Sequence, residues 1–372
     1  METNKKYKIA LLTSSRADYS IYLPLIKELL NDNTINLHII SFGTHNSSAF
    51  GNTYQQIIKD GFKIAHKVKI ANTNDSPQAI SNSMGQTISA FSKIWHNENY
   101  TLIICLGDRY EMFAAVSSAV PFNIPIAHIS GGEVTLGAID NVFRNALTEM
   151  ASLHFASTEK YKQRIVEMLG NKKNVYNVGA LSYDNLKKLK LYSKEEFKAK
   201  FKIDLNQKSI LITFHPETVS YQKNESYINE LIAAFSELKN YQLIITMPNA
   251  DTMGNLIRKK LQAFIKRTSN AVGVESFGTI GYLSCMKYCT MMLGNTSSGF
   301  VEASFFPKHV INLGNRQLGR ILTPNIVTVP IKKRNIINKV RQISKLPAPK
   351  KISIYGHGTA AKKIVNKIKK AL

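Results

Sequence analysis

A chain of 372 residues exceeds what one hydrophobic core usually supports, so two domains of similar size are expected. Its 44% hydrophobic content is that of a globular protein, no run reaches the ~18–20 apolar residues of a membrane span, and three cysteines exclude a disulfide framework. A net charge of +24, from 49 Lys plus Arg against 25 Asp plus Glu, raises nucleic-acid binding, but the lysines are dispersed without interleaved aromatics, which argues against it.

The polar start, Met1 to Lys6, runs into an apolar segment with no signal-peptide run, which reads as a cytoplasmic protein. Strands are predicted at Lys8–Thr13, Asn36–Phe42, Phe62–Val68, Leu102–Leu106, Ile124–Ile129, Leu153–Ala156 and Val175–Val178. Between them, Tyr22–Leu30, Ser47–Lys59, Pro77–Asn97, Glu111–Val120 and Asn141–Ser152 have the apolar spacing of one-sided helices. Strand–helix alternation at these lengths describes βαβ crossovers and a parallel, doubly wound sheet.

After a Lys-rich stretch, Asn185 to Lys202, the pattern restarts with strands at Ser209–Phe214, Gln242–Met247, Val272–Ser276, Thr290–Leu293, Val310–Leu313 and Ile326–Val329. Cys105 falls inside a strand, and Cys285 and Cys289 suit one helix face. In the tail, Thr359–Leu372, a basic helix lines up Ala361, Ile364, Ile368 and Leu372. Its modest apolar face favours packing on the body over lying on a membrane. The expected organisation is residues 1–184, residues 185–354 and a C-terminal helix in 355–372.

Polar clusters follow the strands, where an open α/β sheet gathers its ligand-binding loops. Ser14, Ser15 and Asp18 can cap a helix while Arg16 and loop amides face an anion such as diphosphate, unless Arg16 is only a surface charge. Asp108, Glu133 and Asp140 supply carboxylates that environment can tune apart for acid and base roles, with Arg109 and Arg144 able to pair with them. The plainer alternative is surface ion pairing, Asp140 and Arg144 having the i, i+4 helical spacing. His128 and His45 end strands, as ligand contacts or as hydrogen-bonded core residues.

In the second half His215 can donate to a phosphate oxygen. Ser297, Ser298 and the amides of a helix over Phe300–Phe305 would make an anion cradle, with Glu302 suited to ribose hydroxyls. The nucleotide-binding Gly-x-x-x-x-Gly-Lys-Ser/Thr and zinc-protease His-Glu-x-x-His patterns are missing, and no Gly-x-Gly-x-x-Gly follows the first strand.

Six ordered motifs are Ser14-Ser15-Arg16-Ala17-Asp18-Tyr19, Leu106-Gly107-Asp108-Arg109-Tyr110-Glu111, His128-Ile129-Ser130-Gly131-Gly132-Glu133, Phe214-His215-Pro216-Glu217-Thr218, Gly294-Asn295-Thr296-Ser297-Ser298-Gly299 and Asn315-Arg316-Gln317-Leu318-Gly319-Arg320. Together they resemble the hydrolysing UDP-N-acetylglucosamine 2-epimerases of sialic acid and related nonulosonic acid biosynthesis. Arg16 is followed by Ala17-Asp18 and His215 by Pro216-Glu217, unlike the Gly-Thr-Arg-Pro-Glu and Thr-x-His-Arg-x-Glu-Asn segments of the non-hydrolysing branch.

The resemblance implies an α/β fold of the GT-B type, two Rossmann-like domains with the active site in the cleft between them. It implies Asp108, Glu133 and Asp140 as the proton-transfer set, with Arg16, Arg109, His128, Arg144 and His45 around the substrate. His215, Ser297, Ser298, Glu302, Arg316 and Arg320 would bind the nucleotide. It implies release of UDP and N-acetylmannosamine by elimination to 2-acetamidoglucal and hydration, with no cofactor or metal, in a homodimer or homotetramer that binds neither nucleic acid nor membrane. A UDP- or GDP-linked 2,4-diacetamido-2,4,6-trideoxyglucose is the alternative substrate. A GT-B glycosyltransferase and a non-catalytic basic module are the alternatives of other classes.

Overall fold

In the computed structural model, which describes residues 6–70, 75–248 and 251–372, the apolar runs form two parallel sheets. The polar start lies mostly in residues 1–5, outside the described residues. The chain divides into two units, one made of Met1–Glu133, Asp140–Lys187 and Ile354–Leu372, the other of Val134–Ile139 and Lys188–Ser353. The second unit thus claims a hexapeptide from the middle of the first half.

The first unit runs β1 (Tyr7–Thr13), α1 (Arg16–Leu30), β2 (Ile35–Ser41), α2 (Tyr54–Lys59), β3 (Ile64–Lys67), α3 (Pro77–Asn97), β4 (Leu102–Leu106) and α4 (Tyr110–Ser117). It continues with β5 (Ile126–Ile129), α5 (Asp140–Met150), β6 (Leu153–Ala156), α6 (Glu159–Leu169), β7 (Val175–Asn177) and α7 (Ser182–Lys188). The strand order β3-β2-β1-β4-β5-β6-β7 reverses direction between β1 and β4. A crevice opens at such a switch point, outside the carboxyl ends of the strands.

Period-two alternation buries both sheet faces. Ile9 and Leu11 join Tyr22, Leu25, Ile104 and Phe155 in one core, whereas Ala10 and Leu12 join Ile40, Phe91, Trp95 and Met112 in the other.

The second unit runs α8 (Lys194–Phe201), β8 (Ser209–Thr213), α9 (Asn224–Phe235), β9 (Gln242–Thr246), α10 (Gly254–Lys266), β10 (Ala271–Val274) and α11 (Gly278–Tyr288). After these come β11 (Met291–Gly294), α12 (Glu302–Phe305), β12 (His309–Leu313), β13 (Ile326–Val329) and α13 (Lys333–Ile343). Its order, β10-β9-β8-β11-β12-β13, reverses between β8 and β11. The last helix, α14 (Ala360–Ala371), returns to the first unit, where Ala361, Ile364 and Ile368 join the core beside α1.

Three helices differ from expectation for local reasons. α1 begins at Arg16 rather than Tyr22, because Ser15 and Asp18 form a capping box. It also tolerates Pro24, which cannot donate to the Ser20 carbonyl one turn back; Asn185 Nδ2 donates to that oxygen instead at 2.6 Å. The single helix expected over Ser47–Lys59 is one 3-10 turn, Ser48–Phe50, and the six-residue α2, divided where Gly51 and Asn52 take left-handed φ of 82° and 48°. The helix expected over Phe300–Phe305 is a 3-10 turn, Ser297–Gly299, followed by the single turn of α12.

Candidate active site

In the first unit the loops after β1, β2 and β4 meet at the switch point. The Asp18 carboxylate accepts from the Ser14 amide at 2.7 Å, the Ser15 amide at 2.9 Å and the Ser14 and Thr13 hydroxyls at 2.9 Å. This corrects the expectation that these amides face an anion: a buried carboxylate already takes them. Arg16, half-buried as the first residue of α1, is the cationic side chain of this loop.

His45 is fully buried, with Nε2 2.9 Å from the Thr13 hydroxyl and Nδ1 2.8 Å from the Thr53 hydroxyl. Both nitrogens are engaged, so it positions the β1 and β2 loops rather than contacting substrate. Burial lowers its proton affinity, with the nearby Asp18 opposing. His128 is likewise a core residue and no proton shuttle: Nε2 donates to the Gly107 carbonyl at 2.8 Å, and Nδ1 faces the Thr148 hydroxyl at 3.2 Å. Its pKa is pushed down to about 4, first by burial. Its role is to fix the peptide that precedes Asp108.

Asp108, at the end of β4, pairs with Arg144 of α5, a guanidinium that is 2% exposed. Arg144 Nη1 also donates to the Glu133 carbonyl at 3.0 Å. The Glu133 carboxylate is buried and accepts from Ser157 Oγ at 2.8 Å. Gly132, at φ 75°, lets this loop run against α6, since a Cβ there would collide with the Tyr161 carbonyl. Arg144 therefore joins Asp108 to Glu133, while Asp140 stands half-buried one turn earlier at the start of α5. Arg109, expected to serve these carboxylates, holds Glu111 in a two-pronged pair at 3.0 and 3.1 Å. Glu111 is 2% exposed and lies where a Cβ on Gly43 would touch it, so it ties the β2 and β4 loops together.

In the second unit, Gly294 at φ 146° ends β11, because a side chain would strike the Thr213 carbonyl of β8. The next residue, Asn295, clasps the peptide of His215: Oδ1 accepts from the His215 amide at 2.7 Å, and Nδ2 donates to its carbonyl at 2.8 Å. The Asn295 carbonyl in turn accepts from Gln317 Nε2 at 2.9 Å and Arg316 Nη1 at 3.4 Å. Arg316 also faces Asp251 at 3.6 Å, and buried Arg320 donates from Nε to Gln317 at 2.9 Å. The Glu217 carboxylate accepts from the Asn315 amide at 2.7 Å. His215, Asn295 and Arg316 are thereby gathered at the β8/β11 switch point.

Ser297 is exposed, and Ser298 Oγ lies 2.6 Å from the Tyr282 hydroxyl. Burial pushes that hydroxyl up to about 12, opposed by hydrogen bonds with Ser298 and Thr213 and reinforced by the charge of nearby Glu302. The four-residue α12 corrects the expected cradle: so short a helix has little macrodipole, which leaves hydroxyls and single amides. Glu111, Ser157, Glu217, Asn295 and Tyr282 were not picked out from the sequence. Glu111, Glu217 and Asn295 stood inside quoted motifs, but Ser157 and Tyr282 carry no local signal.

A family model described as UDP-N-acetylglucosamine 2-epimerase matches residues 27–369. The chain belongs to that family. Within it, a Campylobacter jejuni protein named GDP/UDP-N,N'-diacetylbacillosamine 2-epimerase (hydrolyzing) is 37% identical over 87% of this chain and 84% of its own. The Escherichia coli polysialic acid biosynthesis protein P7 is 35% identical over 90% of this chain and 85% of its own. A crystal structure of the Neisseria meningitidis UDP-GlcNAc 2-epimerase has the same fold, with a TM-score of 0.83 at 21% identity over 98% of this chain and 100% of that one. The epimerase family fold, two Rossmann-like units of the GT-B type, is therefore also the fold of this chain.

Proposed function

We propose that this epimerase-family protein is a hydrolysing nucleotide-sugar 2-epimerase that converts a UDP-linked 2-acetamido sugar into free UDP and the C2-inverted sugar, for nonulosonic acid biosynthesis. The observation that carries it is the pair of loops at the carboxyl ends of β4 and β5, where one buried guanidinium, Arg144, pairs with the Asp108 carboxylate and donates to the Glu133 backbone carbonyl, while the Glu133 carboxylate is buried on Ser157 Oγ. Removal of the C2 proton and expulsion of UDP from C1 give a 2-acetamidoglucal. Water then adds at C1 while C2 is reprotonated from the opposite face, which requires two differently placed acid/base groups.

In this reading Asp108, Glu133 and Asp140 form the proton-transfer set, with Arg109 and Arg144 holding the carboxylate loops. Arg16, His215, Ser297, Ser298, Glu302 and Arg316 are assigned to the nucleotide, whose departing diphosphate needs cationic and hydrogen-bonding donors. Arg320 supports this group through Gln317.

For the sugar, the 37% identity to a diacetylbacillosamine epimerase favours the 2,4-diacetamido-2,4,6-trideoxy substrate. UDP-N-acetylglucosamine is the second reading, carried by the family description. The test is proton NMR in D2O with each substrate in turn. Free UDP together with a manno-configured sugar deuterated at C2 is the expected result, and the substrate turned over identifies the sugar. UDP binding without turnover of either would replace this reading with a glycosyltransferase.

A further inference from the structure

We propose that the first unit carries a zinc-binding site formed by His38, His66 and Glu98, separate from the loops assigned to the epimerase reaction. His38 lies on β2, His66 on β3, and Glu98 is the residue that ends α3. His66 is aligned with Ile40, two residues beyond His38, so both imidazoles stand on one sheet face. The register irregularity between Ile39 and Ile40 creates that alignment, in the way bulges re-aim side chains. Phe91 and Trp95 of α3 pack in the core on this same face, and the end of the helix delivers Glu98.

One donor atom from each of the three residues lies within 4.8 Å of the other two. His66 Nε2 is 3.2 Å from Glu98 Oε1, close to the ~3.3 Å edge of a tetrahedron with zinc–ligand bonds of about 2.0–2.1 Å. Two imidazoles and one carboxylate are a zinc-type donor set, with a fourth position left for water. His38 Nδ1 is 3.2 Å from the Tyr100 hydroxyl, which leaves Nε2 for the metal and supplies the outer partner that orients a ligating imidazole.

Lys8 is the competitor. Its ammonium pairs with Glu98 and sits 5.1 Å from the Tyr100 ring centre, so zinc enters as Lys8 swings out to solvent. The site is remote from the proposed chemistry: Ala10, the register partner of His38, precedes Ser14 by four residues, roughly 13 Å along the strand. Zinc bound there would fasten β2, β3 and the end of α3 together.

The test uses the untagged full chain, stripped with chelator, then titrated with Zn2+ by calorimetry and with Co2+ by visible absorption. One metal per chain, tetrahedral cobalt bands and a zinc-dependent rise in melting temperature are expected. His38→Ala, His66→Ala and Glu98→Gln should each weaken binding by at least about tenfold. His66 is half-exposed, and circular dichroism verifies that its variant folds. Lys8→Gln should bind more tightly, an effect opposite to that of general destabilisation, while His357→Ala leaves affinity unchanged. No uptake at micromolar zinc, or equal uptake by the wild type, His66→Ala and Glu98→Gln, would overturn the proposal.

Discussion

At the β1/β4 switch point the loop side chains are largely charged and paired: Asp108 with Arg144, Arg109 with Glu111, and Glu133 beneath Ser157. At the β8/β11 switch point neutral amides and hydroxyls make the clasp, with Asn295 on His215, Gln317 on Asn295 and Tyr282 on Ser298, beside one charged pair, Arg316 with Asp251, and the Glu217 carboxylate on the Asn315 amide. The two sheets share a winding plan, and each reverses direction at the same place in its own order. The fold therefore provides the crevice, and the residues placed after each strand decide its chemistry. On the function proposed above, the first crevice would move protons and the second would hold the nucleotide.

The largest effect should separate those two roles. Asp108→Asn and Glu133→Gln should each lower kcat for UDP release by roughly 10²–10⁴-fold, the usual share of a positioned acid or base. UDP affinity measured by calorimetry should stay near wild type. A matching loss of UDP affinity would end the division of labour.

Acid should distinguish the units next. His128 and His154, both buried in the first unit, have pKa values lowered from 6.5 to about 4, and burial is the leading cause in each. The unfolded chain takes up these protons near 6.5 while the folded chain resists them until about 4. The associated stability is therefore complete above pH 6.5 and is lost as pH falls toward 4. For His128 alone this amounts to roughly 3 kcal/mol. Urea midpoints measured across that range should fall for the wild type and fall less steeply for His128→Gln.

In the second unit, Asn295→Ala would strip the buried His215 peptide of a donor and an acceptor partner. A loss of about 2 kcal/mol or more is expected in denaturant unfolding, together with weaker UDP binding. Unchanged UDP affinity would mean that the clasp serves the fold alone.

The smallest effect concerns the returning tail. The Asp184 carboxylate accepts from the Ala360 and Ala361 amides at 2.9 Å each, capping α14 from a distant part of the chain. Asp184→Ala should cost about 1–2 kcal/mol, read as faster hydrogen exchange in α14 with little change in β8–β13.

Much of the scaffold was legible because strand burial repeats locally. Leu102–Leu106, Leu153–Ala156 and Ile326–Val329 have the predicted bounds. Helix ends were less legible where capping or a left-handed residue intervened, as at Ser15 and Gly51. The motif residues pointed to both switch points, yet partner choice eluded the sequence. Arg144 reaches Asp108 across 36 positions, and Arg109 takes Glu111, two residues on.

Two wound sheets, the places where polar loops leave them and the family to which the chain belongs can all be read from the amino-acid order, since each is written in short-range pattern or ordered motif. Tertiary structure alone decided that His45 and His128 are buried braces, that Asp18 consumes the first loop's amides, and that Val134–Ile139 belongs to the second unit. Burial and hydrogen-bond partnership depend on which residues the crossovers bring together, and no spacing along the chain encodes that.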